Sequence, residues 1–177
     1  MDCRICGVAI FTERALRALR DSPIREKLYI ISGYIKNQNA RGKTPDLLSE
    51  DVNDIVKGFF PEKPIDKVDY LLQWLEIKSN EFGLAIPLDY SDLYPITFSR
   101  TKYELINIAR AAEELGYLKN SPGKGLSLTL KGYERLRMLR ETNLDSIKCF
   151  VAMDFDQKYD SIYTDAICPA LSATGFE

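Results

Sequence analysis

At 177 residues the chain has room for one ordinary domain or two small ones, and 45% apolar content supports a packed core. No apolar run approaches the roughly 20 residues of a membrane helix, the N-terminus lacks the charged-then-apolar pattern of a secretory signal, and four scattered cysteines make no disulfide framework, so a cytoplasmic, reduced protein is expected. Net charge is only −2 and histidine is absent, which excludes every Ser-His or Cys-His nucleophile and leaves carboxylates, tyrosine, lysine and cysteine for any catalysis.

The chain opens on Cys3-Arg4-Ile5-Cys6-Gly7. Two thiolates at this spacing, followed by glycine, make half of a tetrahedral zinc site, so Cys3 and Cys6 are candidate metal ligands and zinc the candidate ion. A full site needs a second pair, and Cys149 and Cys168 fall in a strand and a helix far along the chain. A redox role is the weaker reading, since no strand-to-helix setting surrounds the motif.

The rest of the first forty residues reads as helical. Ser22 and Pro23 mark a helix start, with Ile24, Leu28, Ile31 and Ile35 on one face. Gly42 and Pro45 punctuate; Ser49 opens a short acidic helix that Gly58 ends. After Pro61 and Pro64, the residues Ile65, Val68, Leu72 and Leu75 mark a helix that Tyr70, Leu71 and Trp74 make well buried. Residues 81–99 read as irregular, with Pro87 and Pro95 inside them.

Ser99 is the expected cap of a long helix carrying Leu105, Ile108, Ala109, Ala112 and Leu115 inward, stopped by Gly116. A hairpin follows, its loop at 120–125 and its second strand the alternating Leu126-Ser127-Leu128. Thr129 then caps a helix with Tyr133, Leu136 and Leu139 facing inward. Beyond it, Ile147 to Ala152 is an apolar run without alternation, the pattern of a strand buried on both faces of a parallel sheet. An acidic turn and an amphipathic helix come next, with Tyr159, Ile162, Tyr163, Ala166, Ile167 and Ala170 on one stripe. Such a β-α unit cannot cover its own strand, so it reads as the opening of a larger α/β domain.

Charge is unevenly spread. Residues 41–93 carry a net of −5, residues 100–140 a net of +5 from nine cations and four carboxylates, and residues 141–177 again −5. The basic island places Arg100, Lys102 and Arg110 on the long helix, Lys119 and Lys124 at the hairpin, and Lys131, Arg135 and Arg137 after it. Cations at loop tips and helix starts suit phosphate contacts, and Asn107 on the outer helix face suits a base edge. Glu113 and Glu114 would repel a phosphate backbone, and the plain alternative is a charged surface that serves solvation or docking.

Two segments resemble known families. Glu114 to Leu136, read as ELGYLKNSPGKGLSLTLKGYERL, resembles the second half of a winged-helix domain, with the helix ending at Gly116 as recognition helix and 120–125 as wing. That resemblance implies either DNA or protein as partner, with Arg100, Lys102, Asn107, Arg110, Lys119, Lys124 and Lys131 as the nucleic-acid-binding set. Cys149 to Glu177 is similar to the first β-α unit of bacterial TIR-like domains related to nucleoside 2-deoxyribosyltransferases, on Phe150 to Phe155, Tyr163, Ile167, Pro169 and Gly175-Phe176. Such domains bind nucleotides or NAD at the carboxyl ends of their strands, which implies Met153, Asp154, Phe155 and Asp156 as nucleotide-binding residues. The bland reading of that loop is a solvated helix cap. Their catalytic carboxylate lies further along than Glu177.

The expected architecture is therefore mostly α with small β: a helical N-terminal region over 1–62, a winged helix over 63–143, and the start of an incomplete TIR-like α/β domain over 144–177. In order, these parts resemble bacterial multidomain proteins whose effector processes nucleotides or NAD, often in defence against phage. The resemblance implies a non-catalytic sensing, docking or assembly portion, its partner the effector domain or a second copy of the chain. A winged-helix regulator on duplex DNA, and part of an N-glycosidase completed beyond residue 177, are the other two readings. No membrane partner is expected.

Overall fold

The computed structural model describes residues 2–20, 22–58, 61, 63–144 and 160–170. The chain divides into two compact units, Met1–Leu136 and Arg137–Glu177. The described residues are mostly helical, with three two-stranded sheets.

In the first unit the Cys-x-x-Cys head is a hairpin of β1 (Asp2–Cys3) and β2 (Gly7–Val8), with Cys3 paired to Gly7. A parallel pair follows, β3 (Ile10–Phe11) with β4 (Asp46–Leu47). It brackets α1 (Glu13–Ala18), which Thr12 caps by accepting the Ala15 N–H, and α2 (Ser22–Arg25) and α3 (Leu28–Ala40). Two-residue strands carry too little pattern to be read from sequence, and none of these four was expected.

The single helix expected from Ser22 is broken. Lys27 N–H bonds the Ile24 carbonyl at 2.8 Å, an i→i+3 closure that tightens the end of α2, and α3 restarts in a new frame. Ile30, Ile31 and Ile35 are buried in that frame, whereas Leu28 is 39% exposed. With Ala15, Leu47 and α4 (Ser49–Gly58) they form the N-terminal core, to which Val52, Ile55 and Val56 contribute one face.

The second half of this unit begins with α5 (Pro64–Lys78), started by proline at its first position and buried along Val68, Leu71, Leu72, Trp74 and Leu75 as the periodicity requires. Residues 81–99 are more ordered than expected. Ile86 exchanges two backbone hydrogen bonds with Leu126 (2.8 and 3.0 Å), and Tyr90–Leu93 forms α6, capped by Asp89, running into a 3₁₀ turn over Tyr94–Thr97. Then come α7 (Lys102–Glu114), the hairpin β5 (Leu118–Ser121) with β6 (Gly125–Leu128), and α8 (Leu130–Leu144).

The cap of α7 is Thr101, whose hydroxyl accepts the Glu104 N–H at 3.3 Å; Ser99 is not the cap. Ser99 is fully buried and its hydroxyl is committed to that of Thr97, 2.7 Å away. Leu115, expected inside, is 40% exposed, because it sits at the C-cap where the helical path ends. The hairpin loop is tighter than 120–125, since β5 pairs to Ser121 and β6 starts at Gly125.

Phe98 joins the two halves. It is 2% exposed yet has φ +55°, a left-handed backbone that a bulky side chain rarely adopts. Its ring packs edge-on to Tyr70 with centroids 4.9 Å apart and lies against Gly33 of α3. The Asn37 amide of α3 donates to both the Gly33 and Ile96 carbonyls at 2.9 Å, and Lys67 of α5 reaches the Phe98 carbonyl at 3.3 Å.

In the second unit, α9 (Asp160–Ile162) passes into a π-type turn over Tyr163–Ile167, so the expected helix is present. Of its apolar stripe, Ile162 and Tyr163 are exposed and Ile167 is half-buried. The expected strand at 147–152, the acidic turn and Gly175-Phe176 lie outside the described residues.

A Cβ placed on Gly33 would stand 2.5 Å from the Phe98 ring and 2.9 Å from the Pro95 carbonyl oxygen. Gly33→Ala is therefore expected to destabilise the fold by about 1–3 kcal/mol, despite alanine's better helix propensity, through overpacking. A urea-denaturation midpoint unchanged or raised by the substitution would contradict this packing.

Candidate functional site

The face with most of the sequence-derived site residues is built by α7 and the hairpin. Helix α7 buries Leu105, Ile108, Ala109 and Ala112, which turns Lys102, Tyr103, Asn107 and Arg110 outward. It ends cleanly. Gly116, at φ +78°, donates to the Glu113 carbonyl (2.8 Å) and Tyr117 to that of Ala112 (2.9 Å), the paired closure of a Schellman end. That end directs the chain into β5, and the Asn120 N–H bonds the Glu113 carboxylate at 3.2 Å. A groove of about 220 Å³ runs between α6, α7 and the hairpin, lined by Tyr90, Ile106, Arg110, Glu113 and Asn120. Burial first, and the Glu113 charge second, raise the Tyr90 phenol above its ordinary range.

The structure separates the cations of the basic island by the work they do. Lys131 caps α7 from outside, its ammonium donating to the Leu115 carbonyl at 2.7 Å and lying 5.5 Å from the Tyr117 ring. Arg135 makes two parallel bonds to buried Asp69, at 2.9 and 2.7 Å, tying α8 to α5. Arg137 pairs with Glu141 one turn along the same helix. Arg100 lies just before α7, with its guanidinium 4.8 Å from the Tyr29 ring. Lys102, Arg110, Lys119 and Lys124 are exposed and enter no ion pair among the described residues.

Two elements here escaped the sequence reading. Tyr103 is 67% exposed on the outer stripe; its position in the heptad was the available signal. Glu104 and Lys67 form a half-buried pair at 2.5 Å between α7 and α5, and the second Glu104 oxygen accepts the Arg100 N–H at 2.8 Å. Contact across 37 residues leaves no local trace. Beside this pair lies a groove of about 310 Å³ lined by Lys67, Val68, Glu104, Asn107, Ile108 and Ala111, so Asn107 faces a cleft as well as solvent.

The head brings its two cysteines together. The Cys6 thiol donates to the Cys3 sulfur, which also receives the backbone N–H groups of Cys6 and Ile5. Burial opposes the Cys3 thiolate, but these donors and the Lys36 ammonium outweigh it and hold Cys3 below the ordinary thiol range. Burial, and then the contact with Cys3, push Cys6 up to about 11. Among the described residues no third cysteine or carboxylate joins them, and two sulfurs are half of a zinc site. The nucleotide-binding expectation at Met153, Asp154, Phe155 and Asp156 lies outside the described residues.

Comparison with protein-family models, with curated proteins and with solved structures finds no match to this chain. Its class is thus what its own structure defines: a mostly helical protein with small two-stranded sheets. No helix among the described residues is long and apolar enough to cross a membrane.

Glu104 predicts an acid-sensitive joint. Burial raises its pKa, yet the Lys67 hydrogen bond, the Arg100 N–H and the Lys67 charge together bring it below the usual carboxylate range. A folded-state value below the unfolded one means stability that is present above about pH 4.3 and lost as pH falls through the lower, folded value. Glu104→Gln is therefore expected to be less stable at neutral pH and to lose less than wild type between about pH 5 and 3. Urea titrations across that range would read the difference, and parallel curves would contradict it.

Proposed function

We propose that this chain is the non-catalytic sensing, docking or assembly module of a bacterial nucleotide- or NAD-processing effector, with a winged-helix unit at 63–143 as its docking part. The order of elements supports the winged-helix reading. Helix α5, the Ile86 bridge, α6, α7, the β5–β6 hairpin and α8 follow one another as helix, strand, two helices, two strands and helix, with Ile86 as the third strand beside Leu126. Thr129 starts the last helix as that resemblance implies, its hydroxyl donating to the Gly116 carbonyl at 2.6 Å and accepting the Gly132 N–H at 3.1 Å.

The observation that carries docking over nucleic acid is the internal use of the basic island. Lys131, Arg135 and Arg137 serve caps and ion pairs, and Glu113 and Glu114 lie exposed where α7 meets the hairpin. The remaining surface is mixed and carries an exposed tyrosine, a composition suited to a protein partner. The partner is a second copy of the chain or the effector domain. The four cations without ion pairs, Lys102, Arg110, Lys119 and Lys124, favour duplex DNA as the second reading.

Sedimentation velocity on this chain, alone and with the effector domain, is expected to show association that Tyr103→Glu weakens by about tenfold or more. Fluorescence anisotropy on labelled duplex DNA separates the readings. Binding that collapses between about 50 and 200 mM salt, and weakens in Lys124→Glu, would replace docking with DNA recognition.

A further inference from the structure

A groove of about 300 Å³ lies between α3 and α5, and none of its residues belongs to α7. Each helix lines it with two side chains one turn apart: Lys36 and Ala40 on α3, Trp74 and Lys78 on α5. Leu93 of α6 and the head hairpin at Gly7 complete the border. Beside the groove Arg41 donates to the Gln73 side chain at 3.2 Å, which holds the two helices at this spacing. The volume falls at the lower end of the range for small-molecule sites.

The strong polar side-chain groups left free in this groove are donors. Lys36 is half-buried; one of its N–H bonds goes to the Ile5 carbonyl at 2.7 Å, and no carboxylate pairs with it among the described residues. Lys78 enters no ion pair among them either. Trp74 is 7% exposed, and its indole N–H makes no hydrogen bond among the described residues. The acceptors close by are committed. The Asn39 amide oxygen takes the Val8 N–H at 2.8 Å, and Asp92, next to Leu93, stands 3.7 Å from the Arg4 guanidinium. Two ammoniums on one groove without a counter-ion repel each other, and an anion between them would relieve that.

We propose that this groove binds a small organic phosphate, its phosphate held by Lys36 and Lys78 with the Trp74 N–H as third donor. A phosphomonoester carries about two negative charges near neutral pH and three acceptor oxygens, which matches two ammoniums and one indole N–H. A carboxylate would neutralise only one of the two cations. Ala40, Leu93 and the Trp74 ring supply an apolar wall for the organic body. The site shares no residue with the outer α7 stripe, so it stands apart from the docking reading.

Trp74 is the single tryptophan of the chain, so its emission reports on this groove. Titrating the full chain with phenyl phosphate is expected to change that emission saturably, an effect that sodium chloride at equal ionic strength does not reproduce. Lys78→Gln, at an exposed position outside any ion pair, should weaken binding about tenfold and leave the urea midpoint unchanged. Lys36→Met should weaken it at least as much, and inorganic phosphate should compete less tightly than phenyl phosphate. Absence of saturation, an equal response to sodium chloride, or unchanged affinity in Lys78→Gln would overturn the site. Inorganic phosphate binding as tightly as phenyl phosphate would overturn the organic body.

Discussion

The structure depends on one residue held where its type is rarely found. Phe98 has a left-handed backbone and a buried ring, a combination that costs on the order of 1–3 kcal/mol unless the surroundings enforce it. Here they do. Its N–H closes the 3₁₀ turn onto Pro95 (2.8 Å), its carbonyl takes the Lys67 ammonium, and its ring fills the space that Gly33 leaves open. The N-terminal helices meet α5 and α7 through this contact, and the positive φ turns the chain from the 3₁₀ segment into the approach to α7. The orientation of the outer α7 stripe follows from it.

The polar ties around this joint are few and specific. Asp69–Arg135 joins α5 to α8, and Lys67–Glu104 joins α5 to α7. Both pairs are shielded on at least one side, unlike Arg17–Glu13 and Arg137–Glu141, which are exposed and contribute little. Truncating one partner of such a shielded pair leaves a poorly solvated charge, which costs more than the loss of an exposed pair. This recasts the basic island. Part of the positive charge between 100 and 140 exists because helix ends and buried carboxylates need it, and only the remainder is available to a partner.

At the other end of the unit, α3 links the head to the joint. Lys36 and Asn39 grip the hairpin, Asn37 grips the 3₁₀ turn, and Gly33 receives Phe98, all on one helix.

Much of this was legible in the amino acids alone. The period of Val68, Leu71, Leu72 and Leu75 specifies α5, Gly116 the stop of α7, Thr129 the start of α8, and the Gly-containing turn between Leu118 and Leu128 the hairpin, because each is a local rule of spacing or backbone permission. What only the tertiary structure decided is which of several competent residues does each job. Thr101 rather than Ser99 caps α7 because Ser99 is buried against Thr97, and Lys131 and Arg135 are structural because a carbonyl end and a buried aspartate stand opposite them. Those choices, like the left-handed Phe98 against Gly33, rest on contacts between residues distant in sequence, where burial and partner geometry outweigh local preference.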